Sequence, residues 1–299
     1  MLHVAAVRHA TFGVNPDHPT YPGLTDLLDE RFAAYGVRLD PAVRLAGNGN
    51  SFARMSATLL PELTAGRDLD VVLLAHAVPD CDQRTSVAGY LQQRVAGDPL
   101  VCAVTEQGRT TPFAALRLAG ALRGTGARTV AVLVLDQGTV PRTDAQTAAL
   151  DVTTDHAVGV LIAAGGPIGL RLSPHRAGIP PEQAGAELST QLDALAPRHE
   201  VTVLLGDGFP DASRHLGGHP VRRAEPGRLC TAVWTVLATE LAATSARPRT
   251  LVAAEYEPAL GYLCLAAFDV PPTGSDRWTS PFSTTSSTGP PPAIRPEQR

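Results

Sequence analysis

Short, almost wholly apolar runs recur along this chain with helix-length segments between them, and this alternation restricts its fold more than any other feature. The runs are HVAAV (3–7), VVLLA (71–75), LVCAV (100–104), TVAVLVL (129–135), VGVLIAA (158–164), VTVLL (201–205), LVAAEY (251–256) and YLCLAAF (262–268). Each is too short for a core helix and too apolar to leave one face in water, so each predicts a strand covered on both sides. Helical patterns fall near 23–35, 51–63, 85–96, 111–123, 182–195 and 228–243. Buried strands alternating with helices predict a layered α/β architecture.

Composition narrows the function classes. A net charge of -4 without a clustered cationic face argues against nucleic acid and anionic membrane as partners. All 25 basic residues are arginine, which excludes Schiff-base lysine chemistry and a P-loop lysine. Cys81, Cys102, Cys230 and Cys264 show no paired spacing and lie mostly in apolar runs, as expected of reduced thiols in a cytoplasmic protein. No apolar run reaches the roughly 18–20 residues that cross a bilayer, and the short apolar start before Arg8 does not make a signal segment.

Other residues invite chemistry but read as structural. His76 and His156 stand at strand edges, where hydrogen-bonded structural histidines are common. His215 and His219 have helical spacing, but Gly217 and Gly218 break the helix that would align them, so no metal site is expected. The GNGN at 47–50 and GDG at 206–208 lack the strand-then-helix setting of a dinucleotide loop and read as turns.

From residue 271 the sequence turns to Pro, Ser, Thr and Gly with few apolar anchors, so 271–299 is expected to be a disordered tail. Upstream, the chain carries an internal match. EQGRTTPFAALRLAGALRGTGARTVAVLVLD (106–136) can be laid on EPGRLCTAVWTVLATELAATSARPRTLVAAEYE (225–257), pairing Glu106 with Glu225, Gly108 with Gly227 and Arg109 with Arg228. One possibility is two unrelated buried helices with similar punctuation. The other is a duplication, which predicts two similar halves, 1–165 and 166–270, facing each other.

This layout resembles the thiolase superfamily, and within it the ketoacyl-ACP synthase III branch. The resemblance rests on ALRLAGALRGTGARTVAVLVLDQ (115–137), DLDVVLLAHAVPD (68–80), DHAVGVLIAA (155–164) and LGYLCLAAF (260–268), whereas the first 67 residues match poorly. It implies a thiolase-like layered αβαβα fold with two pseudo-repeated halves. In that family a Cys heads the first buried helix, a His follows a strand of the second half, and an Asn heads the second buried helix. A helix N-terminus lowers a thiol's pKa, while His and Asn stabilise the developing enolate.

By the resemblance, the Cys position falls on Arg109, or on Gln107 if the turn is longer. The His position falls on Gly206 or Asp207, and the Asn position on Arg228. Gln107 invites a comparison with the chain-length-factor subunits of type II polyketide systems, which carry Gln in place of Cys. Glu106, Arg109, Asp207, Glu225 and Arg228 are then expected to form a charge-paired plug where a catalytic funnel would open. Outside these positions, Cys230 near the second helix start and Glu106 are the remaining candidates for chemistry.

Three functions follow as expectations. The first is a non-catalytic ketoacyl synthase III-like subunit that pairs with an active thiolase-fold paralogue, as a heterodimer, in acyl condensation or transfer for fatty-acid, polyketide or other secondary-metabolite biosynthesis. The second is a divergent acyltransferase or thioesterase using Glu106, Asp207 or Cys230. The third is a module that binds acyl thioesters without chemistry. A homodimer is the alternative assembly; acyl-CoA, acyl-ACP and the acyl carrier protein itself are the implied substrates and partners, with no cofactor and no metal.

Overall fold

Two five-stranded arrays with the same internal order meet at their first strands. A computed structural model describes residues 2–17, 30, 33, 47–82, 84–139, 152–195, 197, 199–210, 215–274 and 284–287. In the first half, β1 (Leu2–Phe12), β2 (Val71–Ala75), β3 (Leu100–Val104), β4 (Thr129–Asp136) and β5 (Asp155–Ala163) lie in the order β3-β2-β4-β5-β1. In the second, β6 (Ile168–Leu172), β7 (Glu200–Leu205), β8 (Val221–Arg223), β9 (Arg249–Glu257) and β10 (Tyr262–Val270) lie in the order β8-β7-β9-β10-β6. Both halves run three strands parallel and then two antiparallel. Antiparallel pairing of Leu2–Val4 with Ile168–Leu170 joins them. The sequence boundary at 165 and 166 falls in the turn between β5 and β6.

The layers follow from the two-residue period of the strands. Val71, Leu73, Val130, Val132 and Val134 point inward onto two buried helices, α3 (Thr111–Gly124) and α5 (Ala232–Ala242). Their neighbours Val72, Leu74, Ala131, Leu133 and Leu135 point outward onto α1 (Phe52–Thr64). The second half repeats this: Leu204, Leu251 and Ala253 face the central layer, while Val203, Leu205 and Val252 pack on α4 (Pro181–Ala194). The result is the αβαβα stack that the resemblance implies, with Phe113 of α3 against Trp234 of α5 at its centre, ring centroids 5.0 Å apart. A short α2 (Val87–Gln92) sits beside α1. Among the described residues no helix is long and apolar enough to cross a membrane.

Several elements differ from the sequence expectation. The expected helix near 228–243 begins only at Ala232, because the residues before it form a bend held by a buried carboxyl. The expected helix over 85–96 is only six residues long. Strands β6 and β8 were not anticipated: both are short, and β8 is polar because it lies on a sheet edge, where one face meets water. Within the stretch expected to be a disordered tail, Thr284–Ser287 form β11, pairing parallel with His9–Phe12 of β1; backbone pairing there needs no apolar side chains. The rest of that tail beyond residue 274 and most of the 23–35 helix lie outside the described residues.

Candidate functional site

The pseudo-repeat brings the starts of the two buried helices together. At the first, β3 ends and the chain turns through Gly108–Thr110 into α3; at the second, Gly227 to Thr231 lead into α5. Gly108 and Gly227 both have positive φ, +52° and +87°, and neither has room for a side chain. A Cβ on Gly108 would strike the Glu257 carboxyl, and one on Gly227 would strike the Thr153 hydroxyl. The two bends touch in both directions. Arg109 Nη1 donates to the Arg228 carbonyl at 3.3 Å, and Cys230 Sγ donates to the Gly108 carbonyl at 3.4 Å.

Each helix start is held by a carboxyl from the other half. Asp136, which ends β4, accepts hydrogen bonds from the backbone N–H groups of Leu229, Cys230 and Thr231 at 2.8, 2.9 and 2.8 Å, and from Thr231 Oγ1 at 2.7 Å. Glu257, which ends β9, accepts from Arg109 N at 2.9 Å and Ala259 N at 3.1 Å. Free N–H groups at a helix start attract negative charge, so the swap ties the halves together at their least satisfied backbone. Neither carboxyl was among the residues singled out from sequence. The available signal was an acid closing a largely apolar strand, Asp136 in TVAVLVLD and Glu257 in LVAAEYE.

The expected plug exists in altered form. Arg109 meets Asp207 at 3.8 Å, with both side chains largely shielded, and Arg228 meets Glu225 at 4.0 Å. Glu106 is not part of it: the residue is exposed, sits at φ +66°, and makes no ion pair with either arginine among the described residues. Its place as an interior acid is taken by Glu255, which is buried against Gly206 and accepts from Gly208 N at 3.3 Å. Burial pushes the Glu255 carboxyl up to about 8, which keeps it protonated at neutral pH although the charge of Arg109 opposes the shift. Gln107 lies two residues before the helix head, its side-chain oxygen buried without a hydrogen-bond partner, while Arg109 faces the second bend.

The thiol nearest the two bends, that of Cys230, lacks the setting of a nucleophile. Cys230 is fully buried; burial first, then Asp136 and Glu255, push its thiol well above the ordinary range, although Arg109 acts the other way. His156 is a buried, hydrogen-bonded histidine as expected, and it lies beside the second bend, where its Nε2 accepts from Arg228 Nε at 3.0 Å. His76 is structural as expected, with Nδ1 2.8 Å from the Val78 carbonyl and its ring against Phe52.

Solved structures share this fold. A ChlB3 acyltransferase superposes with a TM-score of 0.59 at 15% identity, over 94% of this chain and 99% of its own. OleA from Xanthomonas campestris with bound lauric acid and lauroyl-CoA gives 0.60 at 11% identity, over 90% and 98%. The 3-oxoacyl-(acyl carrier protein) synthase III, FabH, of Pseudomonas aeruginosa gives 0.55 at 14%, over 90% and 98%. This chain has the thiolase-like fold of the ketoacyl synthase III enzymes. No protein-family model and no curated protein matches its sequence. In this thiolase-like fold the facing bends that lead into the two buried helices carry Arg109 and Arg228, and the turn after β7 carries Gly206 and Asp207.

Proposed function

We propose that this chain is a non-catalytic ketoacyl synthase III-like subunit that pairs with an active paralogue in acyl condensation or transfer. The observation that carries the reading is Arg109 in the turn that leads into the first buried helix; on it, or on Gln107 two residues earlier, the resemblance puts a nucleophilic Cys. The guanidinium is anchored by Asp207 and by the Arg228 carbonyl, so the space in front of the helix is filled by a paired ion. The nearby thiol, Cys230, is turned onto the Gly108 carbonyl and held protonated. Asp207, which with Gly206 is where the resemblance puts the His, brings a carboxylate to the place where an enolate would form.

Pairing is supported by β3, which ends the sheet of the first half. Its outer edge has no strand beside it among the described residues, and Leu100 and Ala103 are exposed on it. A partner thiolase-fold subunit can continue the sheet there, and acyl groups carried on coenzyme A or acyl carrier protein are the substrates the assembly would handle in fatty-acid, polyketide or related biosynthesis.

Two measurements test the reading. The purified chain is incubated with acyl-CoA and its intact mass recorded: no covalent adduct is expected, and an adduct abolished by Cys230→Ala would overturn the non-catalytic reading in favour of an acyltransferase or thioesterase. Affinity purification from the native host is expected to bring down a thiolase-fold paralogue with its Cys, His and Asn in place. Recovery of the chain as a lone monomer would overturn the subunit role.

A further inference from the structure

The two arginines at the facing bends are equivalent by repeat but not by environment. Arg109 is matched by Asp207 and lies within reach of the field of Glu255. Arg228 points to the opposite side, onto β1 and β5. Its Nε donates to His156 Nε2 at 3.0 Å, which makes that nitrogen the acceptor and leaves the ring proton on Nδ1, 3.3 Å from Thr11 Oγ1. His156 is therefore a neutral acceptor, and burial together with Arg228 and His9 holds it so, at about 3. The one carboxylate within ion-pair range of Arg228 among the described residues is Glu225, 4.0 Å away with its side chain 81% exposed, so solvent screens most of its charge. Neither terminal nitrogen of Arg228 makes a hydrogen bond to another described residue.

His9 completes the cluster. In the β1–β5 ladder Thr11 pairs with His156 and His9 with Val158, so His9 and Thr11 share one face of β1, and His9 is the diagonal neighbour of His156. Both ring nitrogens of His9 are shielded from solvent and have no hydrogen-bond partner. Two imidazoles, a hydroxyl and a guanidinium thus converge with donors to spare and, among the described residues, no buried acid paired with them. Groups of this kind are costly to hold away from water unless something accepts from them.

We infer that His9, Thr11, His156 and Arg228 form an oxyanion-binding site whose ligand is a small carboxylate. The cluster carries one permanent positive charge, which matches a monoanion, and the free edge of the guanidinium presents two parallel N–H groups at the spacing of a carboxylate's oxygens. His9 supplies a third N–H. The Arg228 side chain is 21% exposed, so the ligand reaches it from solvent while the imidazoles lie deeper. The site does not depend on whether the chain pairs with a second subunit.

Calorimetric titration of the full chain with acetate, succinate and inorganic phosphate, at constant ionic strength, tests it. Saturable binding of acetate is expected, with the dianion succinate binding no more tightly; acetate binding is weakened roughly tenfold or more in Arg228→Gln and in His9→Phe, and unchanged in the exposed control Arg67→Gln. Should the variants fold poorly, the wild-type protein alone still decides: the imidazole nitrogen resonances of His9 and His156 are expected to shift on addition of acetate. Absence of saturable carboxylate binding, binding of phosphate only, equal binding by Arg228→Gln, or unmoved imidazole resonances would each overturn the proposal.

Discussion

Replacing Asp136 with alanine removes the carboxyl that joins the two halves at the head of α5, and the structure sets the size of the loss. Three backbone N–H groups and one hydroxyl, all fully buried, lose their acceptor together. The Thr231 hydroxyl can rotate to another partner, whereas the three N–H groups are fixed by the bend. A buried donor left unsatisfied costs about 1–3 kcal/mol, so three give about 3–9 kcal/mol. Water entering the vacated space recovers part of this, so the expected loss lies in the lower part of the range, about 3 kcal/mol. For a chain of this size that corresponds to a fall in Tm of about 6 °C. Urea unfolding followed by circular dichroism measures it, and amide exchange at Leu229, Cys230 and Thr231 is expected to accelerate together. Glu257→Gln serves as the comparison, with a smaller loss, because Glu257 holds two N–H groups and keeps an acceptor oxygen after the change. An Asp136→Ala protein within about 1 kcal/mol of wild type would refute the argument that this carboxyl satisfies the helix start.

Two other predictions follow from burial. Glu255 holds its proton up to about 8 in the folded chain against an ordinary value of 4.5, so the folded state binds more protons across that window, and stability falls as pH rises through it, by at most roughly 5 kcal/mol. Glu255→Gln is expected to remove this slope, leaving the opposite loss below pH 6.5 caused by His156, which resists protonation; identical pH profiles for the two proteins would dismiss the assignment. Iodoacetamide at neutral pH is expected to label Cys102 slowly in the native protein and all four cysteines in urea, since burial raises the thiols of Cys81 and Cys230 and pushes that of Cys264 up to about 12. Native labelling of Cys230 at the rate of Cys102 would contradict the buried geometry of the second bend.

The layered architecture was legible in the sequence because it depends on local signals. Runs such as VVLLA and TVAVLVL announce strands covered on both faces, and the repeated Glu-x-Gly-Arg followed by an Ala/Leu-rich stretch announces two buried helices in equivalent places. The meeting of Arg109 with Arg228 was also legible, since a duplicated layout predicts that equivalent bends face each other. Edge elements were not. The three-residue β8 and the polar β11 take their structure from backbone pairing with a neighbour that only the fold supplies.

Charge partnership was decided by the tertiary structure alone. From the sequence, Glu106 and Glu225 stand three residues before their arginines and look like the natural counter-charges, yet Glu106 is exposed and Glu225, though 4.0 Å from Arg228, is 81% exposed and screened by solvent. The acids that hold the bends, Asp136 and Glu257, come from strands about 93 and 148 residues away, as their hydrogen bonds to Leu229 and Arg109 record. The convergence of His9, Thr11 and His156 on Arg228 likewise depends on strand register, which shifts every side chain to the opposite face if it slips by one residue. Hydrophobic period is written residue by residue along the chain. The pairing of polar groups is set by which of them folding shuts away from water together, and their separation in sequence carries no record of it.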